Sequence, residues 1–143
     1  MKYCCRILLA LLLPMAVNAA ELKEIQINQK IIQVEIADTD QEREIGLMYR
    51  KKLPAENGML FKFDYAMPVC MWMKNTYIPL SVAFIDSNGT IINIEKMHPL
   101  TENIHCSKRA AKYALEMNQG WFEKNNIKKG DKVASLKPEF PLI

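Results

Sequence analysis

The chain has 143 residues and carries 19 Lys and Arg against 16 Asp and Glu, a formal net charge of +3. Fifteen of the first 19 residues are apolar, against 56 of the 124 that follow; without Lys2 and Arg6 the remainder holds 17 basic residues against 16 acidic ones. That composition excludes collagen, coiled coil and disorder, and its near-neutral charge implies no polyanion-binding surface, so no nucleic-acid partner is expected. About 124 residues suit one compact domain and leave no room for a second.

Lys2 and Arg6 precede an apolar run from Ile7 to Val17, and Val17 and Ala19 place small residues at the positions a signal peptidase reads. The expectation is a signal peptide over residues 1–19, cleavage after Ala19 and a single exported domain over 20–143. Eleven apolar residues rise only about 16 Å as a helix, roughly half a hydrocarbon core, so no permanent membrane span is expected. The competing reading is a buried N-terminal helix. Cys4 and Cys5 would leave with the leader. That leaves Cys70 and Cys106, which in an oxidising compartment are candidates for a disulfide; two separate buried cysteines are the alternative.

In the mature chain, Ile25 and Ile27, then Ile32, Val34 and Ile36, alternate with polar residues around Asn28-Gln29-Lys30, the pattern of a hairpin. Thr39 and Glu42 form a capping-box pattern ahead of a short helix, Gln41 to Met48, weakened by Gly46. Pro54 and Gly58 punctuate a loop, and Met59, Phe61 and Phe63 alternate again as a strand. Residues 69–85 are the longest mostly apolar stretch; Pro79 divides them into two strands joined by a bend.

Asn88-Gly89 predicts a tight hairpin with Ile85 opposite Ile92 and Ala83 opposite Ile94. An irregular segment from Met97 to Lys108 carries both histidines. Tyr113, Leu115 and Met117 mark another strand, Trp121 to Lys124 a helical turn, and Lys132 to Leu136 a last strand. Seven or eight short strands with scraps of helix predict a mainly β fold, an antiparallel β-sandwich or a partly open barrel.

The segment from Met71 to Leu80 sets Lys74, Asn75 and Thr76 directly after a heavy apolar strand. Polar groups gathered at a strand end beside an aromatic side chain are how β domains build small-ligand pockets. A plain turn, with Lys74 in water and Asn75 and Thr76 satisfying backbone groups, explains the same residues. Arg50 and Lys74 together suit an anionic group; pairing of Arg50 with a carboxylate such as Glu42 or Glu44 is the alternative.

Five blocks of the chain, Gly46-Leu47-Met48-Tyr49-Arg50, Gly58-Met59-Leu60-Phe61, Trp72-Met73-Lys74-Asn75-Thr76 with Ile78-Pro79-Leu80, Phe84-Ile85-Asp86, and Tyr113-Ala114-Leu115-Glu116 with Gly130-Asp131, resemble the family called domain of unknown function 192. The resemblance covers nearly the whole mature chain. It implies a small, mostly β domain of exported bacterial proteins and of archaea, and brings no activity with it. Where the family usually carries an aspartate after Ile-Pro-Leu, this chain has Ser81. Family motifs and the strand-end argument coincide at Met48, Arg50, Trp72, Met73, Lys74, Asn75 and Thr76, the candidate ligand-binding residues.

Catalysis has thinner support. A cysteine hydrolase would need Cys106 beside His98 or His105, and no nucleophile signature accompanies them. Paired carboxylates would have to come from Asp86, Glu95 or Glu116. Soft-metal binding would draw on Met67, Cys70, Met71, Met73, Cys106 and the histidines, a set suited to Cu(I), although Met71 and Met73 read equally well as core. No cofactor motif and no metal-site spacing is present. The leading expectation is an exported domain that binds a small molecule or cell-envelope component without catalysis, followed by a hydrolase-like enzyme and by a copper-binding protein.

Overall fold

The computed structural model describes residues 21–136. The expected leader and its cleavage site lie outside the described residues. The elements run β1 (Leu22–Ile27), β2 (Lys30–Ala37), α1 (Asp40–Ile45), β3 (Asn57–Met67), β4 (Cys70–Met71), β5 (Leu80–Ile85), β6 (Ile91–Met97), β7 (His105–Cys106), β8 (Ala111–Asn118) and α2 (Trp121–Lys124). Six strands form one sheet in the order β1-β2-β3-β8-β5-β6, and β4 pairs with β7 in a separate ribbon. The fold is mainly β and sandwich-like, as its sequence predicts.

The β1–β2 hairpin forms in the expected register, with Ile25 opposite Ile32. β2 and β3 pair in parallel, the one departure from the antiparallel expectation. A parallel pair needs a long crossover, and residues 38–56, which contain α1, supply it. The capping box starts that helix as predicted: the Thr39 hydroxyl accepts from the Glu42 amide at 3.2 Å, and the Glu42 carboxylate accepts from the Thr39 amide at 3.1 Å. The helix ends at Ile45 rather than Met48 because Gly46 takes φ +48° and its amide closes on Glu42.

Three other expectations are corrected. Of residues 69–79 only Cys70 and Met71 are strand; the chain then turns at 73–76 before β5 begins after Pro79. Ala83 does face Ile94, but Ile85 faces Ile91 rather than Ile92, because a bulge follows Phe84. The Asp86 carboxylate causes it by accepting from the Asn88 and Thr90 amides, both at 2.9 Å, which widens the turn beyond two residues. The last strand reduces to two bridges, Thr90 with Lys132 and Ile27 with Val133. The Val133 amide donates to Gly89 and the Ala134 amide to Gln26, so this segment ties the ends of β1 and β6 together and follows neither.

That tie curls the sheet toward a barrel that does not close. One core cluster, including Ile25, Val34, Leu60, Ala83, Ile91, Leu115 and the α2 side chains Trp121 and Phe122, draws on all six strands and fills the concave side. A second, including Met59, Phe61, Met73, Val82, Phe84 and Ala114, lies on the opposite face beneath Leu47, Leu53 and Val69. The central strands are therefore covered twice, and every residue of β5 is buried.

Between β3 and β8 the backbones approach so closely that a Cβ on Gly58 would lie 2.5 Å from the Glu116 carbonyl oxygen and 2.4 Å from Met117 Sδ. Backbone on that side cannot yield locally. Gly58→Ala is expected to lower stability by about 1–3 kcal/mol through overpacking, read as a shifted urea midpoint with an unchanged slope.

Candidate functional site

β8 lies between β3 and β5, and its residue Glu116 faces Met59 on one side and Val82 on the other. Tyr113, Leu115 and Met117 point into the concave core. Alternation along the strand therefore sends Ala114 and Glu116 to the opposite face, among Leu47 and Phe61. Glu116 is 4% exposed. Among the described residues no donor hydrogen-bonds its carboxyl oxygens and no cation pairs with it. Burial alone pushes its pKa from the ordinary 4.5 up to about 8, so it is predominantly protonated at neutral pH.

Glu116 floors a pocket of about 200 Å³. Three segments wall it: the α1 C-terminus and following loop with Gly46, Leu47 and Met48; the β4 ribbon with Cys70 and Met71; and Trp72 and Thr76 of the adjoining turn. The turn is built as its composition suggests. The Thr76 amide donates to the Met73 carbonyl at 3.1 Å, and Asn75 takes φ +53°, a conformation asparagine tolerates. Gly46, whose Cβ would stand 3.1 Å from the Phe61 ring, lets the loop pass close over the sheet. A disulfide between Cys70 and Cys106 joins β4 to β7 and fixes the ribbon side of the wall.

The candidate ligand-binding residues thus separate. Met48, Trp72 and Thr76 come together at the pocket. Met73 is fully buried in the core. Asn75 serves the neighbouring loop: its carbonyl accepts from the Tyr49 amide and its side-chain amide donates to the Tyr49 hydroxyl, both at 2.9 Å. Lys74 points outward, 3.9 Å from Glu102, with its ammonium 5.1 Å from the centre of the Trp72 ring.

Arg50 lines a different depression and makes a two-pronged contact with Glu35 at 2.5 and 2.7 Å. Its partner is neither Glu42 nor Glu44. That hydrogen bond holds its pKa above the ordinary value. Each of the two cations has its own partner: Arg50 engages Glu35, and Lys74 lies beside Glu102 and Trp72.

The remaining chemistries lose their parts. The disulfide removes Cys106 as a thiolate nucleophile and both cysteines as copper ligands. Among the described residues no cluster of three or more His, Cys, Asp or Glu could hold a metal. Glu95 lines a different concavity together with Ser81, and Asp86 is engaged by the β5–β6 turn and by Arg109 at 3.2 Å. Neither shares a cleft with Glu116. Ser81, where the family usually has aspartate, therefore bears on that other concavity and leaves the Glu116 pocket untouched.

The family model for DUF192, described as "Uncharacterized ACR", matches residues 23–135, and the chain belongs to that family. Among solved structures, it is similar to a Sinorhizobium meliloti protein described as a candidate transcription regulator: 37% identity, TM-score 0.78, 80% of this chain and 94% of that one covered. It is also similar to a protein of unknown function from Novosphingobium aromaticivorans, at 29% identity and TM-score 0.77 over 82% of this chain and 88% of that one. No curated protein matches in sequence.

Because Glu116 binds its proton more tightly folded than unfolded, the folded state should lose stability as pH rises from about 4.5 to about 8. The decline attributable to this group is at most about 5 kcal/mol. Denaturant unfolding at pH 5, 6.5 and 8 should show the slope in the wild type and its loss in Glu116→Gln. Equal slopes in both proteins would place the carboxyl in water.

Proposed function

We propose that this chain is an exported domain that binds a small molecule at the Glu116 pocket and catalyses no reaction of its own. The observation that carries this reading is the unpartnered carboxyl on the central strand. No fully buried side-chain oxygen or nitrogen among the described residues lacks a hydrogen bond, so the carboxyl opens onto its pocket, yet stripping most of the water from such a group still costs free energy. A core built only for stability would place an apolar side chain there. A ligand that supplies the missing partner offsets the cost, and the apolar walls of Met48, Met71 and Trp72 supply contact area around it.

Glu116 has the protonation state of a general acid, which is the one observation favouring an enzyme. The other hydroxyl in the pocket argues against it. Thr76 Oγ1 donates to the Lys74 carbonyl at 3.1 Å, and among the described residues no hydrogen bond joins it to a base that would activate it as a nucleophile. Support for export comes from the leader pattern of residues 1–19 and from the disulfide, a bond that persists in oxidising compartments.

Two measurements test the two halves of the reading. Intact-mass analysis of protein purified from its native host should find Ala20 at the N-terminus and no free thiol; a chain retaining Met1 would remove the export claim. A fragment screen followed by NMR should yield binders that shift Met48, Trp72, Thr76 and Glu116 together. Trp72→Ala should weaken such binders roughly tenfold or more while changing the unfolding midpoint little, because the indole is 43% exposed. Hits confined to other surfaces would refute the site.

A further inference from the structure

The Glu116 pocket continues along the protein surface. A second concavity of about 400 Å³ shares Arg43, Glu44, Phe61, Cys70 and Met71 with it and extends past Phe63 to Asp40, Asp64 and Tyr65. The charges along this continuous groove are unbalanced. Asp40, Glu44, Asp64 and Glu116 supply four carboxyl groups, and Arg43 is the one cationic side chain lining it. Arg43 is already committed: its guanidinium donates to the Asp38 and Lys62 carbonyls at 2.6 and 2.7 Å, pairs with Asp40 at 2.6 Å, and lies 5.9 Å from the centre of the Phe63 ring. Arg43 is therefore not available to Glu116.

Aromatic faces complete the arrangement. Trp72 stands at one end of the groove, with Phe61, Phe63 and Tyr65 along the other part. The Trp72 ring holds the Lys74 ammonium 5.1 Å from its centre, so it already acts as a cation-binding face, and a ligand cation there would share or displace Lys74. A buried carboxyl, an excess of acidic groups and an aromatic rim are together the features that recognise an organic cation, and they disfavour an anion.

Resting on the binding reading above, we propose that the groove takes a primary alkylammonium group, with the ammonium seated on Glu116 and its carbon chain against Met48, Met71 and Trp72. The inner pocket holds the volume of about six or seven waters at ~30 Å³ each, which fits a short amine and excludes a large ring system. An alkylammonium can come from a free amine or from the lysine side chain of a peptide, and the groove chemistry is the same for both.

Binding would carry a proton signature. The ammonium arrives charged, so Glu116 must ionise as it binds, and its proton passes to the buffer; no covalent bond changes. The other titratable groups lining the inner pocket are Arg43 and Glu44 of α1. Affinity should therefore rise about tenfold per pH unit from pH 6 to near 8, then level off.

The test uses three probes of equal length on the protein, n-butylammonium, 1-butanol and butyrate, followed by NMR and by calorimetry in buffers of different ionisation enthalpy. Butylammonium should shift Trp72, Thr76 and Glu116, release close to one proton at pH 6.5, and lose at least tenfold in affinity with Glu116→Gln, a variant expected to fold because it removes only the ionisable oxygen. Putrescine and a blocked Gly-Lys-Gly peptide then distinguish a free amine from a lysine-bearing partner by which binds more tightly. If butanol or butyrate binds the pocket and butylammonium does not, the amine class is overturned and the pocket reading survives. Butylammonium binding equally at pH 6 and 8, or equally to Glu116→Gln, also overturns the amine proposal. Silence from all three probes removes both.

Discussion

The molecule depends on the double engagement of β8. This strand is hydrogen-bonded on one edge to β3 and on the other to β5, and apolar layers cover both of its faces. Such a strand has no solvent side. Every side chain it carries must be apolar or must justify its burial through a partner. Tyr113, Ala114, Leu115 and Met117 satisfy the first condition, and Glu116 satisfies neither within the described residues. The close passage at Gly58 and the raised pKa of Glu116 both follow from that placement.

Around this strand the pocket is assembled from parts that serve packing first. Gly46 ends a helix and lets the loop lie close to Phe61; the 73–76 turn redirects the chain; the disulfide holds a two-residue ribbon that has almost no ladder of its own. None of these is specialised for chemistry in isolation. Their convergence over a single carboxyl sets this site apart from Asn93, another buried polar group on the same face, which is fully occupied by the Lys108 amide, Glu95 and the Cys106 carbonyl.

Much of this was legible from residue order. The β1–β2 hairpin, the Thr39–Glu42 cap, the turn at Trp121 and the Cys70–Cys106 bond depend on local chemistry or on compartment, and each is present as read, the helix length apart. Three of the seven candidate ligand residues, Met48, Trp72 and Thr76, do meet at one pocket. Glu116 was legible as one of three candidate carboxylates and as part of a family block, but not as the floor of a pocket. With Lys112, Ala114 and Glu116 alternating against Tyr113, Leu115 and Met117, β8 looks like a strand with one wet face. Only its position in the sheet, a non-local property, reveals that the second face is dry. A hint existed in the near-continuous apolar run Leu80-Ser81-Val82-Ala83-Phe84-Ile85 of β5, a pattern typical of strands covered on both faces, and all six residues are buried. Arg50 misled for the opposite reason, since its partner Glu35 lies on a strand that pairing brings near and sequence distance does not.

The order of the strands along the chain has a consequence for assembly. The element that completes the middle of the sheet is the last of its strands to be synthesised, and β3 and β5 each lack a neighbour until it arrives. Contacts of such long span are slow to form. A nascent chain of this design stays threadable until its final quarter is available, and only then gains the means to fold shut.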